Sequence, residues 1–269
     1  MKVFVIDIAL CNGCHCCQIS CKDEHVANDW TPYAKPQPDT GQFWIKQNEF
    51  VRGTVPKVQV HYLPILCMHC EDAPCMAACP VSGAIYKRED GLVIIDPIRC
   101  TGCKSCVDAC PYHVIYFNED LNIAQKCTGC AHLLDSGWKE PRCADACPTL
   151  ALKFGEESEM KTLIQKAEML HPEYRAKPRV YYLNIPKKFI AGTIYDPMEK
   201  EVVIGAACTL TNTKSKKQYV TTTDGFGDFW FKGLEIGTYT FTVVKGKKIK
   251  VFDGLNTEKD INLGDIPLP

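Results

Sequence analysis

The sequence lacks the features that would assign it to a membrane, a secretory route or nucleic acid. Its 269 residues contain no run approaching the roughly 18 consecutive apolar residues of a membrane helix. The first residues, Met1 to Asp7, are too short and too soon interrupted by charge to form a secretory signal. The net charge is -1 and no basic cluster is present, which excludes a nucleic-acid-binding surface of the usual kind. We therefore expect a cytoplasmic chain, unless a signal-bearing partner exports it.

The sequence also lacks the motifs of a catalytic site. It has no nucleophile motif, no glycine-rich phosphate loop and no His/carboxylate metal spacing. We expect no catalytic site in this chain, so any substrate chemistry belongs to a partner subunit. A hydrophobic content of 46% and a charged content of 23% are ordinary for a globular protein, and the length favours two or three domains.

Cysteine is the exception to this ordinary composition. Of eighteen cysteines, seventeen lie between Cys11 and Cys147, and only Cys208 lies beyond them. They form four groups that each close with two cysteines separated by three residues, and three of the groups then continue with proline. The groups are Cys11, Cys14, Cys17 and Cys21; Cys67, Cys70, Cys75 and Cys79; Cys100, Cys103, Cys106 and Cys110; and Cys127, Cys130, Cys143 and Cys147.

This repeat predicts iron–sulfur clusters. Thiolates are soft ligands, and four of them hold a [4Fe–4S] cluster. Three cysteines of a group can surround one cluster, while the fourth, followed by proline, points toward a second cluster. We expect the neighbouring groups two and three to exchange their last cysteines, and groups one and four to do the same. The expected ligand sets are set A (Cys11, Cys14, Cys17, Cys147), set B (Cys21, Cys127, Cys130, Cys143), set C (Cys67, Cys70, Cys75, Cys110) and set D (Cys79, Cys100, Cys103, Cys106).

Disulfides and zinc are the alternatives to clusters. Disulfide-rich chains are usually small secreted domains, and zinc sites generally use two Cys-x2-Cys pairs without a third cysteine at the next step. Both therefore fit the spacing less well than clusters do. The extra Cys16 could ligate only if Cys17 did not, so we interpret it as a spectator. Cys208 lies in a predicted strand and is interpreted as a small core residue.

Several other residues lie close to the cysteine loops. The histidines among them are interpreted as packing residues or donors to a cluster sulfur, because the cysteine sets are already complete; they are His15, His25, His69, His113 and His132. Lys126 directly precedes Cys127, and we expect its charge to tune a reduction potential.

The pattern of the remaining residues predicts an α+β chain with three parts. Residues 1–157 are expected to form a ferredoxin-like module with four clusters and an irregular insertion at 22–66. Residues 158–185 are expected to be a helix and linker, with apolar side chains at helical spacing from 158 to 170. Residues 186–269 are expected to form a small antiparallel β-sandwich.

Short strands are predicted in both the module and the sandwich. Two strand pairs flank cluster loops, one joined by an Asp-Gly turn within residues 84–96 and the other within 114–125. In the sandwich, the turn-separated apolar runs are residues 191–195, 206–210, 219–223, 227–231 and 238–244.

Specific stretches within residues 1–157 carry a family resemblance. They are Cys67–Cys75, Lys87–Val93, Cys106–Tyr112 and Gln125–Cys130. With them, this part resembles the four-cluster electron-transfer subunits of molybdopterin oxidoreductases of the dimethyl sulfoxide reductase family. The resemblance implies the same exchange of ligands between groups. It also implies a large catalytic subunit that carries molybdopterin guanine dinucleotide with molybdenum or tungsten, and an external electron donor or acceptor.

The layout of the whole chain adds a narrower resemblance. Residues 131–135, 177–182 and 225–229 are similar to the small subunits of pyrogallol–phloroglucinol transhydroxylases, which are related to resorcinol hydroxylases and catechol dehydroxylases. This resemblance implies a partner that acts on hydroxylated aromatic compounds. Those transhydroxylase subunits hold one cluster fewer, so four complete sets favour hydroxylation or dehydroxylation, which have net electron flow.

The C-terminal part carries a resemblance of its own. Residues 222–229 and 237–241 resemble transthyretin-like and carboxypeptidase-regulatory-like β-sandwich modules, which implies a structural or docking role. For the whole chain we expect a non-catalytic electron-transfer subunit in a heterodimer. The alternatives are a free-standing polyferredoxin that serves several partners, and a binding module whose clusters are only structural.

Overall fold

The computed structural model describes residues 1–269, and they divide into two units. Unit 1 comprises Met1–Glu49 and His61–Ile185, and unit 2 comprises Phe50–Val60 and Pro186–Pro269. All four cysteine groups lie in unit 1, and Cys208 lies in unit 2.

Residues 50–60 differ from the expectation, because the sequence assigns them to the insertion of the cluster module. Their charged side chains account for their place in unit 2. The Arg52 guanidinium lies 2.7 Å from the Asp260 carboxylate, and the Lys57 ammonium pairs with the Asp228 carboxylate. Both acidic partners belong to the C-terminal part of the chain, so this segment contributes to unit 2.

Unit 1 is built from short elements. In chain order, and including the hairpin β2–β3 whose tip belongs to unit 2, they are β1 (Lys2–Asp7), α1 (Cys16–Val26), β2 (Ile45–Thr54), β3 (Lys57–Leu66), α2 (Pro74–Ala77), β4 (Ile85–Lys87), β5 (Val93–Ile95), α3 (Ser105–Ala109), β6 (Tyr116–Asn118), β7 (Ile123–Gln125), α4 (Ala131–Asp135), α5 (Arg142–Asp145), β8 (Leu152–Glu156), α6 (Glu157–Ile164), a 3₁₀ helix (Pro172–Tyr174) and β9 (Val180–Leu183).

A three-stranded sheet with β1 at its centre joins distant parts of unit 1. Strand β1 pairs antiparallel with β8 and parallel with β9, in the order β8-β1-β9. Residues 3–6 of β1 are all buried, as expected for a strand that is covered on both faces. Phe4 also contacts Phe154 on β8, with ring centroids 4.8 Å apart. No pattern in the sequence predicts this sheet.

The two strand pairs predicted beside the cluster loops are confirmed. Strands β4 and β5 pair antiparallel, and so do β6 and β7. The turn between β4 and β5 contains Asp90 and Gly91, and Gly91 has a φ of +89° that glycine adopts without strain.

The predicted helix over residues 158–170 is too long at its C-terminal end. Helix α6 ends at Ile164 because the chain then forms a β-bridge. The backbone groups of Glu168 and Tyr182 exchange two hydrogen bonds of 2.8 Å, which holds Glu168 in an extended conformation. No helix of the chain is long and apolar enough to span a bilayer.

Unit 2 is a β-sandwich of two sheets. Its strands are β10 (Lys188–Asp196), β11 (Glu201–Val202), β12 (Ala207–Asn212), β13 (Gln218–Thr222), β14 (Asp228–Leu234), β15 (Thr238–Lys245), β16 (Lys248–Asn256) and β17 (Ile261–Pro267). One sheet has the order β13-β12-β15-β16, and in the other β10 pairs with β11, β14 and β17. The five predicted strands are confirmed. The expectation of a wholly antiparallel sandwich is wrong at one pair, because β17 runs parallel to β10.

Aromatic side chains from both sheets form the core of unit 2. Phe229 of β14 stacks on Phe241 of β15 with ring centroids 4.5 Å apart, and both are buried. Cys208 of β12 is fully buried in the same core, which confirms its interpretation as a small core residue.

This core predicts the effect of a deletion. The change Phe241→Ala removes a buried ring, so we expect it to destabilise unit 2 by about 3 to 5 kcal/mol. The control Phe226→Ala removes a ring of the same size that is 79% exposed, so it should cost less than about 0.5 kcal/mol. Hydrogen exchange of the β12 and β15 amides, read by mass spectrometry, measures both effects. Equal protection in the two variants would contradict this account of the core.

Candidate iron–sulfur centres

The four cysteine groups share one local structure. Each begins in a loop and places its third cysteine on a short helix. These cysteines are Cys17 in α1, Cys75 in α2, Cys106 in α3 and Cys143 in α5. The internal repeat of the sequence is therefore also a repeat of backbone structure.

The residue before the second cysteine has a left-handed backbone in every group. Gly13, Gly102 and Gly129 have φ values of +75°, +72° and +64° at this position. In group two the same position is taken by His69, with a φ of +43°. This conformation is nearly free for glycine and costs other residues roughly 1 to 2 kcal/mol. A histidine at this point is therefore a departure from the repeat.

The state of the sulfurs separates clusters from their alternatives. All eighteen cysteines are free thiols, so none is joined in a disulfide. No group of three or more Cys, His, Asp and Glu side chains converges as a single bound ion would require. Sulfurs that surround a larger volume fit a multi-iron cluster better than one zinc ion, which needs four ligands at about 2.3 Å.

The thiols of set C show this arrangement most directly. One cavity is lined by its four cysteines, together with apolar side chains such as Met68, Val93 and Ile115. Burial, followed by the charges on other cysteines of the set, raises the pKa of Cys70 to about 12. Such thiols ionise only when a cation stabilises the thiolates, and a coordinated iron supplies that charge. The donor set therefore fits a [4Fe–4S] cluster.

The cysteines of sets A and B lie close to one another in the same way. Burial and then the charges on Cys11 and Cys147 raise the pKa of Cys17 to about 12. Burial and then Cys130 and Cys127 raise the pKa of Cys21. Helices α1 and α5 are in contact, so the first and fourth groups, which are far apart in the sequence, are close in space.

Set D combines group three with the end of group two. Burial and then Cys100 raise the pKa of Cys106 to about 12, and Cys103 contributes in the same direction. Cys79 follows helix α2, which packs against the α3 helix that carries Cys106. The thiol of Cys79 donates a 3.5 Å hydrogen bond to the carbonyl of Val81.

The electrostatic effects of cysteines in one set on the pKa values of cysteines in another set indicate the order of the sets. Beyond burial and contributions from its own set, the pKa of Cys143 in set B is raised by Cys17 of set A. Burial and then Cys67 of set C raise the pKa of Cys127 in set B. Cys75 of set C likewise adds to the raised pKa of Cys106 in set D. The sets therefore neighbour one another in the order A, B, C, D.

Exposure follows the same order. All eight cysteines of sets B and C are buried. Cys14 of set A and Cys103 of set D are exposed. Of the other members of these two sets, Cys11, Cys79 and Cys100 are partly buried, and Cys17, Cys106 and Cys147 are buried. The chain thus has two enclosed sets in the middle and one accessible set at each end.

The sequence predicts His25 and His132 near the cysteine loops, but it does not indicate that Trp44 packs with them beside set B. The Nε2 atom of His25 lies 3.9 Å from the Cys130 sulfur, and the rings of His25 and Trp44 lie 4.5 Å apart. Burial, followed by the charge of His132, lowers the pKa of His25 to about 3, so His25 is neutral. His132 in turn lies 3.0 Å from the Glu24 carboxylate. No spacing in the sequence indicates these contacts, because Trp44 lies in the irregular insertion.

Two other residues lie near set C, Lys126 and His69. Lys126 is buried between cysteines of sets B and C, and His69 lies beside Cys67. The sequence itself marks His69 as unusual. Groups one, three and four read Cys-x-Gly-Cys, whereas group two reads Cys-Met-His-Cys.

Two known protein families match separate parts of the chain. Residues 58–157, which contain groups two to four, match a family described as a 4Fe-4S dicluster domain. Residues 190–259 match a family described as a carboxypeptidase regulatory-like domain.

Individual relatives match larger parts of the chain. The pyrogallol hydroxytransferase small subunit of Pelobacter acidigallici is 38% identical, over 98% of this chain and 98% of its own length. The B subunit of the sulfite dehydrogenase of Allochromatium vinosum is 36% identical over 66% of this chain and 81% of its own length. The B subunit of the anaerobic dimethyl sulfoxide reductase of Escherichia coli is 38% identical over 59% of this chain and 75% of its own length. The chain therefore belongs to the family of iron–sulfur electron-transfer subunits of dimethyl sulfoxide reductase-type molybdopterin oxidoreductases, and its likeness to the pyrogallol hydroxytransferase small subunit extends over nearly its whole length.

Proposed function

We propose that sets A to D each hold one [4Fe–4S] cluster, and that the chain relays electrons between a molybdopterin catalytic subunit and an external redox partner. The observation that carries this proposal is the order of the sets, with two buried in the middle and one accessible at each end. A bound [4Fe–4S] cluster accepts and returns one electron at a time. A protein that passes electrons between two partners needs an accessible centre at each end and further centres between them. A chain that binds a substrate itself does not need this linear arrangement.

The residues of the chain support each cage. Cys67, Cys70, Cys75 and Cys110 line one cavity, which supports the exchange of the closing cysteine between groups two and three. The mutual effects on pKa within sets A and B support the same exchange between groups one and four. The contact between α2 and α3 supports Cys79 as the fourth ligand of set D.

The two accessible ends differ in the residues that surround them. Beside set A, the apolar side chains of Leu10, Ile19 and Leu150 are 44%, 63% and 64% exposed. Beside set D, Ile98 is also exposed, at 69%, but it is a single apolar residue on a surface where Lys104 pairs with Glu119 at 3.0 Å. Apolar surface favours a permanent interface, and screened charges favour brief encounters. We therefore place the catalytic subunit at set A and the external electron donor or acceptor at set D.

The relatives support the class of the partner. The match to the pyrogallol hydroxytransferase small subunit covers 98% of the chain, while those to the sulfite dehydrogenase and dimethyl sulfoxide reductase subunits cover 66% and 59%. We propose that the partner carries molybdenum or tungsten on molybdopterin guanine dinucleotide. Its proposed substrates are hydroxylated aromatic compounds, transformed by hydroxylation, dehydroxylation or transhydroxylation, and four complete sets favour the first two reactions.

Iron content tests the cages. The chain purified without oxygen should contain about sixteen iron atoms, four for each cluster. The change Cys110→Ala removes a ligand of set C, so iron should fall to about twelve. The control Cys208→Ala changes a buried cysteine of unit 2 and should leave about sixteen. Full iron in Cys110→Ala would show that Cys110 is not a ligand.

Substitution of exposed apolar residues tests the place of the catalytic subunit. Isolated without oxygen from its native source, the chain should elute in a one-to-one complex with a large subunit. The change Ile19→Asp introduces charge beside set A and should weaken that complex at least tenfold. The control Ile98→Asp, at a residue 69% exposed beside set D, should leave it intact.

Two results would contradict this arrangement. A chain that always elutes alone at 30.1 kDa would support a free-standing polyferredoxin instead. Dissociation caused by Ile98→Asp but not by Ile19→Asp would place the catalytic subunit at the opposite end.

A further inference from the structure

Lys126 is a buried ammonium with no carboxylate partner. It is only 2% exposed, and its Nζ atom donates to the carbonyl oxygens of Val93 and Cys127, the latter at 3.1 Å. None of the ion pairs of the chain includes Lys126, and Glu71, beside Cys70, pairs with Lys87 and Arg179. A buried charge without a counter-charge costs several kcal/mol, so the negative charge that balances Lys126 has to come from another source.

That source lies on two sides of Lys126 and belongs to two different sets. Val93, whose carbonyl accepts from Lys126, lines the same cavity as Cys67 and Cys75, and the other accepting carbonyl belongs to Cys127 itself. Cys67 and Cys75 are members of set C, while Cys127 is a member of set B. The ammonium therefore lies between the two enclosed sets of the chain.

Val93 holds His69 beside Lys126. The backbone of Val93 receives a hydrogen bond from Lys126 at its carbonyl and donates a 3.0 Å hydrogen bond from its N–H to Nδ1 of His69. Since Nδ1 accepts, the ring proton of neutral His69 is on Nε2, and that atom is buried without a protein partner. The backbone N–H of His69 lies 3.5 Å from the Cys67 sulfur.

The position of His69 in the repeat supports a functional role for its Nε2–H donor. His69 adopts the left-handed backbone that glycine takes in the other three groups. Strain of this kind persists where the surroundings hold the residue in place. The backbone N–H of His69 contacts the Cys67 sulfur and its ring is held by Val93, which lines the cavity of set C, so we assign the effect of the ring to set C.

We propose that Lys126 is a shared electrostatic element of sets B and C, which raises the reduction potentials of both enclosed centres, and that His69 acts on set C only. The inference rests on the proposed function. A fixed positive charge favours whichever neighbour holds the added electron, and in a buried site little solvent weakens this effect. Lys126 thereby shifts the potentials of the two middle centres in the same direction.

A potentiometric titration followed by electron paramagnetic resonance tests the proposal. The change Lys126→Met removes the charge and keeps the chain length. We expect it to shift the reduction equilibria of both middle centres toward oxidation at least tenfold, which is 59 mV for one electron. The equilibria of sets A and D should change less than threefold.

Two further variants serve as comparisons. Lys104→Met removes a lysine that is likewise adjacent to a cysteine, Cys103, but is exposed, so solvent screening should limit its effect to less than threefold. His69→Phe keeps a ring in place and removes the donor, so it should shift set C alone. A shift of one middle centre only in Lys126→Met, or of neither at full iron content, would overturn the proposal.

Iron content keeps this test separate from that of the proposed function. Wild-type chain without about sixteen iron atoms refutes the four cages before any potential is measured. If Lys126→Met is purified with less iron, loss of both middle signals supports the shared role, because both cages then need the charge. Loss of one middle signal with the other unshifted contradicts it.

Discussion

Burial of thiols in groups of four is the constraint on which unit 1 depends. Eleven of the sixteen predicted ligands are buried, so sulfurs occupy positions that apolar side chains fill in most domains. Their helices are only four to five residues long in groups two to four, and the strands beside them have three residues. Elements of this size bury too little apolar surface to fold alone, so metal binding and folding of this unit are expected to be coupled.

The same constraint explains why some features could be predicted from the sequence. Ligand spacing is a local property, so the four groups and the short hairpins beside them are evident without knowledge of distant contacts. The strands of unit 2 follow from alternation and turns for the same reason. Strand β16 could not be predicted in this way, although its burial alternates along the chain. Its apolar residues Ile249 and Val251 lie on the exposed side, and a lysine precedes each of them.

Features that depend on distant contacts could not be predicted. Strand β1 is identified only by β8 and β9, which lie about 150 or more residues later. The end of α6 is set by Tyr182, and the place of residues 50–60 is set by Asp228 and Asp260. For Lys126, the sequence shows its proximity to Cys127 but not to Cys67, and the second neighbour gives the residue its proposed shared role.

The difference between middle and ends connects the structure to the proposed relay. Sets B and C are closed to solvent, and the buried charge of Lys126 lies between them. Sets A and D are accessible. Three exposed apolar side chains border set A, whereas set D is bordered by the Lys104–Glu119 ion pair and one exposed apolar residue, Ile98. An electron carrier with two different partners needs this asymmetry, because one interface is lasting and the other is brief.

Anomalous diffraction at the iron absorption edge tests the central claim most directly. Crystals of the chain grown without oxygen should show four separate iron peaks, each surrounded by the cysteines of one set. The peaks should follow the order A, B, C, D, with Lys126 between the second and third. Fewer than four peaks, or a peak whose closing cysteine comes from its own group, would contradict the account.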